Sequence, residues 1–266
     1  MRMKSVVAGL AAIAAISLSA CGGGGGGGGG EVTGPQPQQP VQNASPGGIW
    51  FGTLSTGEEI LGLVTETGEF HFITTDSFTQ YFGTVSTVGN NATGQFTGYT
   101  AVGWVFEDGS TRGTGTITGT LQARSTFNAN TTFRTSAGST VSGSAALTYD
   151  TLYERDSSLA AIAGNFRDVT TGAIVSINAN GQAFAQNPST GCVLNGTVSI
   201  IDSRYNAYRV EYTYSNCQGQ NAILNGITLR GLATLDNTVS PELLIVGAQG
   251  IANATGLSVV DILERT

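Results

Sequence analysis

The reactive side chains of this sequence are few. It has one histidine, His71, and three cysteines, Cys21, Cys192 and Cys217. A nucleophilic site of the Ser-His-Asp kind needs a histidine that reaches a serine and is itself held by a carboxylate. Asp76 and several serines lie near His71 in sequence, but no Gly-x-Ser-x-Gly elbow occurs. His71 stands between Phe70 and Phe72 in an alternating stretch and reads as a solvent-facing strand histidine. One histidine and a pair of cysteines leave no zinc set. Glu58, Glu59, Glu66 and Glu69 have the chemistry of a glycosidase acid/base pair or a calcium site. They flank Gly57 and Gly68 and read instead as solvated turn charge. No catalytic residue, metal or cofactor is expected, and the chain is not expected to be an enzyme.

Aromatic residues offer a second kind of chemistry. Tyr205, Tyr208, Tyr212 and Tyr214 recur through one stretch, and amphipathic rings of this kind line ligand cavities or pack as barrel core. Trp50, Phe70, Phe72, Tyr208, Tyr212 and Tyr214 are the candidate ligand-lining residues. Cys192 and Cys217 flank the segment Val193 to Asn216 symmetrically, so a disulfide there would staple a hairpin at its open end. Closing a loop of that length contributes about 3 kcal/mol in the chain-entropy model. Parity opposes the bond: Cys192 shares a face with Leu194 and Val198, whereas Cys217 falls opposite to Tyr208, Val210 and Tyr212. A bulge, or a Cys217 beyond the strand end, would reconcile them.

The elements that must position these residues follow from a period of two that starts at Gly48 and runs nearly to the end. Eight strands are expected in each half. In the first they are Ile49–Ser55, Glu59–Thr65, Glu69–Thr75, Gln80–Val88, Gln95–Phe106, Thr114–Gln122, Ser125–Thr135 and Thr140–Tyr149. Turn signals such as Glu66-Thr67-Gly68 and Gly89-Asn90-Asn91 separate them. The halves repeat: Gly83-Thr84-Val85-Ser86 recurs 113 residues on as Gly196-Thr197-Val198-Ser199. At that offset Gly68 meets Gly181, Tyr99-Thr100 meets Tyr212-Thr213, and Gly113 meets Gly226. Gly48-Ile49-Trp50 meets Gly164-Asn165-Phe166 if three residues are gapped. Between the halves, Ser157 to Gly164 has a serine cap, good helix formers and a closing glycine, the marks of one or two helical turns.

The expected fold is therefore all-β, two eight-stranded up-and-down barrels over residues 48–150 and 164–266, joined by a short helical connector at 151–163. One larger barrel or sandwich made from both halves is the alternative. The Gly-x-aromatic openings, Gly48-Ile49-Trp50 and Gly164-Asn165-Phe166, followed by a meander, resemble the calycin group. That group includes lipocalin-like and streptavidin-like barrels and lipoprotein barrels of the transferrin-binding type.

Ahead of the barrels, Arg2 and Lys4, the apolar run Val6 to Ile16 and the small residues up to position 20 have the three parts of an export signal. The run is shorter than the roughly 20 residues that span a bilayer. Leu18-Ser19-Ala20-Cys21 resembles the lipobox of bacterial lipoproteins. That resemblance implies cleavage after Ala20 and acylation of Cys21, and the Gly22 that follows implies sorting to the outer membrane. Several acyl chains hold a protein stably where a single one is marginal. Residues 21–47, with an unbroken glycine run and then Pro35, Pro37, Pro40 and Pro46, form a tether about 25–30 Å long on average.

Without residues 1–20 the chain has nine arginines, no lysine and eighteen carboxylates, a net charge of −9. Nucleic acid calls for clustered basic residues and is excluded as a partner. The lipid anchor is left as the contact with the membrane. The expected role is that of an envelope lipoprotein that binds a small apolar ligand or a partner protein, or a structural envelope lipoprotein without a ligand pocket.

Overall fold

The computed structural model describes residues 42–253 and 255–266. The expected leader, Cys21 and most of the tether lie outside the described residues. Sixteen strands form two closed antiparallel barrels, each a meander. The first holds β1 (Gly48–Leu54), β2 (Glu59–Val64), β3 (Glu69–Thr74), β4 (Gln80–Val88), β5 (Asn91–Tyr99), β6 (Arg112–Gln122), β7 (Thr126–Thr135) and β8 (Thr140–Asp150). It closes where β1 pairs with β8 over six residue pairs. The second holds β9 (Gly164–Asp168), β10 (Ile174–Ile177), β11 (Gln182–Gln186), β12 (Val193–Ile200), β13 (Tyr208–Ser215), β14 (Thr228–Asp236), β15 (Leu243–Ala252) and β16 (Thr255–Arg265). It closes through β9 and β16 over only three pairs. The single larger barrel or sandwich is thereby overturned.

Alternation explains the barrels. In β6, Ile117 and Leu121 are buried while Thr114, Thr116, Thr118 and Thr120 are exposed, the pattern of a half-buried strand. The repeat is physical as well as textual. Gly68 and Gly181 both have positive φ, at +86° and +78°, and a Cβ on either would lie 1.9 Å and 2.2 Å from the carbonyl oxygens of Val85 and Val198. Each accepts the amide of that same valine, at 2.9 Å and 2.7 Å. Only glycine fits both demands.

The 113-residue offset does not persist. Val85 pairs with Gly94, whereas Val198 pairs with Val210, so β5 corresponds to β13 at an offset of 116. The cause is the turn, two residues after β4 but seven after β12. Tyr212 therefore matches Phe96, and the expected Tyr99–Tyr212 match fails: Tyr99 packs edge-on against Phe82, while Tyr212 belongs to the interior of the second barrel. Gly226 likewise lies in a loop and does not match Gly113 in β6. Strand limits differ as well. The fifth strand ends at Tyr99, leaving Trp104 and Val105 exposed in a loop, and a 3-10 turn, Gly219–Leu224, precedes β14.

The connector contains a 3-10 turn, Thr151–Glu154, and one helical turn, α1 (Leu159–Ile162). Ser158 caps α1 by accepting the amide of Ala161 at 3.0 Å. Leu152 and Tyr153 are buried with Ile49 and Leu63 of the first barrel and Ala207 and Leu232 of the second. Gln80 adds a polar tie, donating from Nε2 to the carbonyls of Ala248 at 3.0 Å and Val259 at 2.6 Å. Glu69 and Arg209 form an ion pair across the same junction.

Candidate functional site

The first barrel's interior has rings set over glycines. Phe96 lies against Gly115, Phe133 against Gly98 and Gly113, and Phe72 against Gly62. A Cβ at these glycines would stand 2.2 to 2.8 Å from ring carbons. The missing side chains make room for the aromatic ones, and these rings fill the barrel interior over the glycines. Trp50 is fully buried, its rings edge-on to Phe127 at 6.1 Å and Tyr149 at 5.5 Å, and its Nε1 donates to the Pro46 carbonyl at 3.1 Å. Phe70 and Phe72 sit 5.5 Å apart in the same core. The end of the tether fastens beside one mouth. The Ala44 amide donates to the Gly89 carbonyl at 2.9 Å, the Gly89 amide to Asn43 Oδ1 at 2.9 Å, and Ser45 Oγ to Glu66 Oε2 at 2.6 Å.

The tyrosines belong to a different core, so the six candidate lining residues do not share one cavity. Tyr208 faces the connector, where its hydroxyl accepts the Ser158 amide at 3.2 Å. Tyr212 and Tyr214 meet at 5.6 Å, and the Tyr212 hydroxyl donates to Asp261 Oδ2 at 3.4 Å. Asp168 reaches the same place from β9. It pairs with Leu263, so Asp261, two residues earlier in β16, is its diagonal neighbour on the inward face. Asp168 Oδ1 accepts the Thr170 amide and the Thr171 hydroxyl, both at 2.9 Å. Burial, and then the charge of Asp168, push Asp261 up to about 7. A small part of the Asp261 surface stays accessible, but protein surrounds the carboxyl densely, and that density governs its charge. Burial raises Tyr212 and Tyr214 as well.

This acidic pair is what sequence reasoning missed. Trp50 and Phe166 occupy matching places, so Asp168 stands where the first barrel has Gly52 and Asp261 where it has Ala145. The signal was there: Asp261 has the parity of Leu257, Val259 and Leu263 and breaks that apolar run.

The disulfide Cys192–Cys217 is formed, with a Cα–Cα distance of 4.0 Å. Parity is reconciled by the strand end: β13 stops at Ser215, and Asn216 at φ +58° turns the chain back. Asn225 fixes the new direction, accepting the Cys217 amide at 2.8 Å and donating to its carbonyl at 3.0 Å.

His71 corrects an expectation. It faces away from Phe70 and Phe72 as parity demands, yet it is only 5% exposed and stacks on Phe82 at 5.7 Å. The second barrel makes the difference, since Gln80 and Glu69 beside His71 both reach it. Burial pushes the imidazole down to about 4, with Glu69 and then the Gln80 side chain opposing, and among the described residues Nδ1 has no hydrogen-bond partner. The four glutamates are not gathered. Glu58 accepts from Ser77 at the first turn, whereas Glu66 and Glu69 sit at the next, at the other end of the strands. Among the described residues no group of three side chains is placed to hold a metal.

No family model and no curated protein matches the chain. Among solved structures it is similar to immune modulator A of Aeromonas veronii, at 13% identity and a TM-score of 0.39, over 85% of this chain and 97% of that one. So distant a likeness carries no argument about function.

The outer face of the first barrel is the remaining candidate surface. Across β8, β7, β6, β5 and β4 the register aligns Ser144, Asn130, Thr118, Thr93 and Ser86 in one row. Ser142, Thr132, Thr116, Gln95 and Thr84 form the next, and all ten are exposed. A shallow cavity of about 390 Å³ adjoins the first row, lined by Thr53, Ser55, Asn128, Asn130 and Ser144 among others.

Proposed function

We propose that the protein is an exported, lipid-anchored envelope protein that works through the outside of its barrels. The observation that carries this reading is the first barrel's interior, where rings seated on glycines take the space of a lumen ligand. The surface left for a partner is neutral and hydroxyl-rich on the first barrel. On the second it carries ion pairs such as Arg230 with Glu211. The anchor rests on the lipobox-like Leu18-Ser19-Ala20-Cys21. Without residues 1–20 the net charge of −9 disfavours a second, electrostatic hold on an anionic membrane.

The test places a photo-crosslinking residue at Thr118 in cells, in the wild-type chain and in a Cys21→Ser chain. Palmitate labelling, membrane retention and discrete adducts are expected for the first, and loss of all three for the second. Labelling that persists in the Cys21→Ser chain overturns the anchor. Saturable quenching of buried Trp50 by a small apolar ligand, measured with Trp104 changed to Phe, overturns the outside reading.

A further inference from the structure

The second barrel closes at its weakest line. Strand β9 is five residues long and pairs with β16 through Asp168–Leu263, Arg167–Glu264 and Phe166–Arg265, with the Val169 amide extending the ladder to the Ile262 carbonyl at one end and the Thr266 amide to the Asn165 carbonyl at the other, both at 3.0 Å. The first barrel closes over six pairs. Asp168 and Asp261 face each other across this short seam, one on each strand, where the first barrel has Gly52 and Ala145.

Among the described residues none offers the pair a cation. Tyr212 and Tyr214 face it from β13, and Val246 pairs with Asp261 from β15. Arg265, further along β16, is taken up by Glu242 at 2.6 Å, by the carbonyls of Ala161 and Ala163, and by the Phe166 ring. Arg167 and Glu264 pair on the opposite face of the same strands. Two carboxylates so placed cannot both ionise without repelling each other. Asp168 commits Oδ1 to Thr170 and Thr171, which leaves Oδ2 for a proton held with Asp261.

We infer that a single proton held between Asp168 and Asp261 latches the second barrel shut, and that its loss lets β9 part from β16. The latch belongs to the second barrel alone. Its midpoint lies in the physiological range, because burial and the neighbouring carboxylate hold Asp261 near 7. A carboxyl raised in the closed state and ordinary in the open state favours closure at low pH and loses that advantage as pH climbs toward 7. Opening would uncover Phe166 and the Tyr212–Tyr214 pair, and so present an apolar surface only when the proton has left.

Hydrogen exchange of the Val169 amide in the full chain tests this, read from pH 5 to pH 8 and corrected for intrinsic exchange. In the wild type its protection is expected to fall about tenfold per pH unit up to pH 7 and then level off. The Ser55 amide, which donates to Ser144 at 2.7 Å in the first barrel, serves as the reference and is expected to show no such slope. In Asp261→Asn the carboxamide donates in place of the proton, so protection should stay high and vary by less than about twofold. Asp168→Asn removes the neighbouring charge but leaves Asp261 buried, so its slope should persist and level off below pH 7. A flat wild-type profile at Val169 overturns the latch. So does an Asp261→Asn profile that keeps the wild-type slope.

Discussion

Replacing His71 by leucine isolates the charge chemistry of the barrel junction. The imidazole is buried, its Nδ1 is unpartnered, and burial lowers it to about 4. In the unfolded chain a histidine titrates near 6.5. As pH falls from 6.5 to 4 the unfolded state takes up a proton that the folded state refuses, so stability present above 6.5 is lost on acidification. The gap of about 2.5 units corresponds to about 3 kcal/mol. At pH 7 leucine also removes a buried nitrogen without a partner and keeps contact with Phe82, so the variant should lie within about 1 kcal/mol of wild type. Urea unfolding from pH 4 to pH 7.5, with slopes compared to confirm a common transition, gives the difference between the two chains. That difference is the quantity to read, because carboxylates held by arginines, such as Glu69 and Asp202, lose stability in acid in both. His71→Leu should gain about 3 kcal/mol on wild type between pH 6.5 and pH 4. Parallel profiles would refute the claim that the second barrel keeps His71 from water.

Two further outcomes follow from packing and crosslinking. Cys192→Ser with Cys217→Ser releases a loop closed over 25 residues and should lower stability by about 3 kcal/mol in calorimetry. Hydrogen exchange should place the loss in β12 and β13, and protection lost mainly in the first barrel would contradict it. Gly98→Ala sets a methyl 2.8 Å from the Phe133 ring and 3.0 Å from Tyr81, an overpacking worth about 1–3 kcal/mol. Phe133→Leu in the same chain should recover part of that cost, and a Gly98→Ala chain as stable as wild type would mean that the interior has room to spare.

Much of the fold could be read from alternation and turns, because both are local. A period of two places Ile117 and Leu121 inside, and Gly89 with Asn90 reverses the chain, whatever the distant parts do. What escaped depends on contacts far apart in sequence. His71 has the parity of an outward residue, and only the arrival of the second barrel, through residues such as Ala248 and Arg209, turns outward into buried. The Asp168–Asp261 pair needs the β9–β16 register, which joins segments 93 residues apart. The repeat misled in β13 for a related reason. Three matching letters cannot show that a turn has lengthened from two residues to seven, and an odd shift reverses every side chain that follows.

The two buried titrations have opposite signs, and that opposition makes the molecule more than two independent barrels. His71 is tolerated in the junction as the neutral imidazole and weakens the junction in acid. Asp261 strengthens the seam in acid and weakens it as pH rises to 7. Above pH 6.5 the His71 contribution no longer changes, and only the seam goes on loosening. A rise through neutrality therefore frees β9 while the junction, with Gln80 and Arg209 engaged, still holds the second barrel against the first. Were the two signs alike, one pH change would act on seam and junction together. As it stands, the seam moves against a fixed neighbour, and what opens is one strand rather than the molecule.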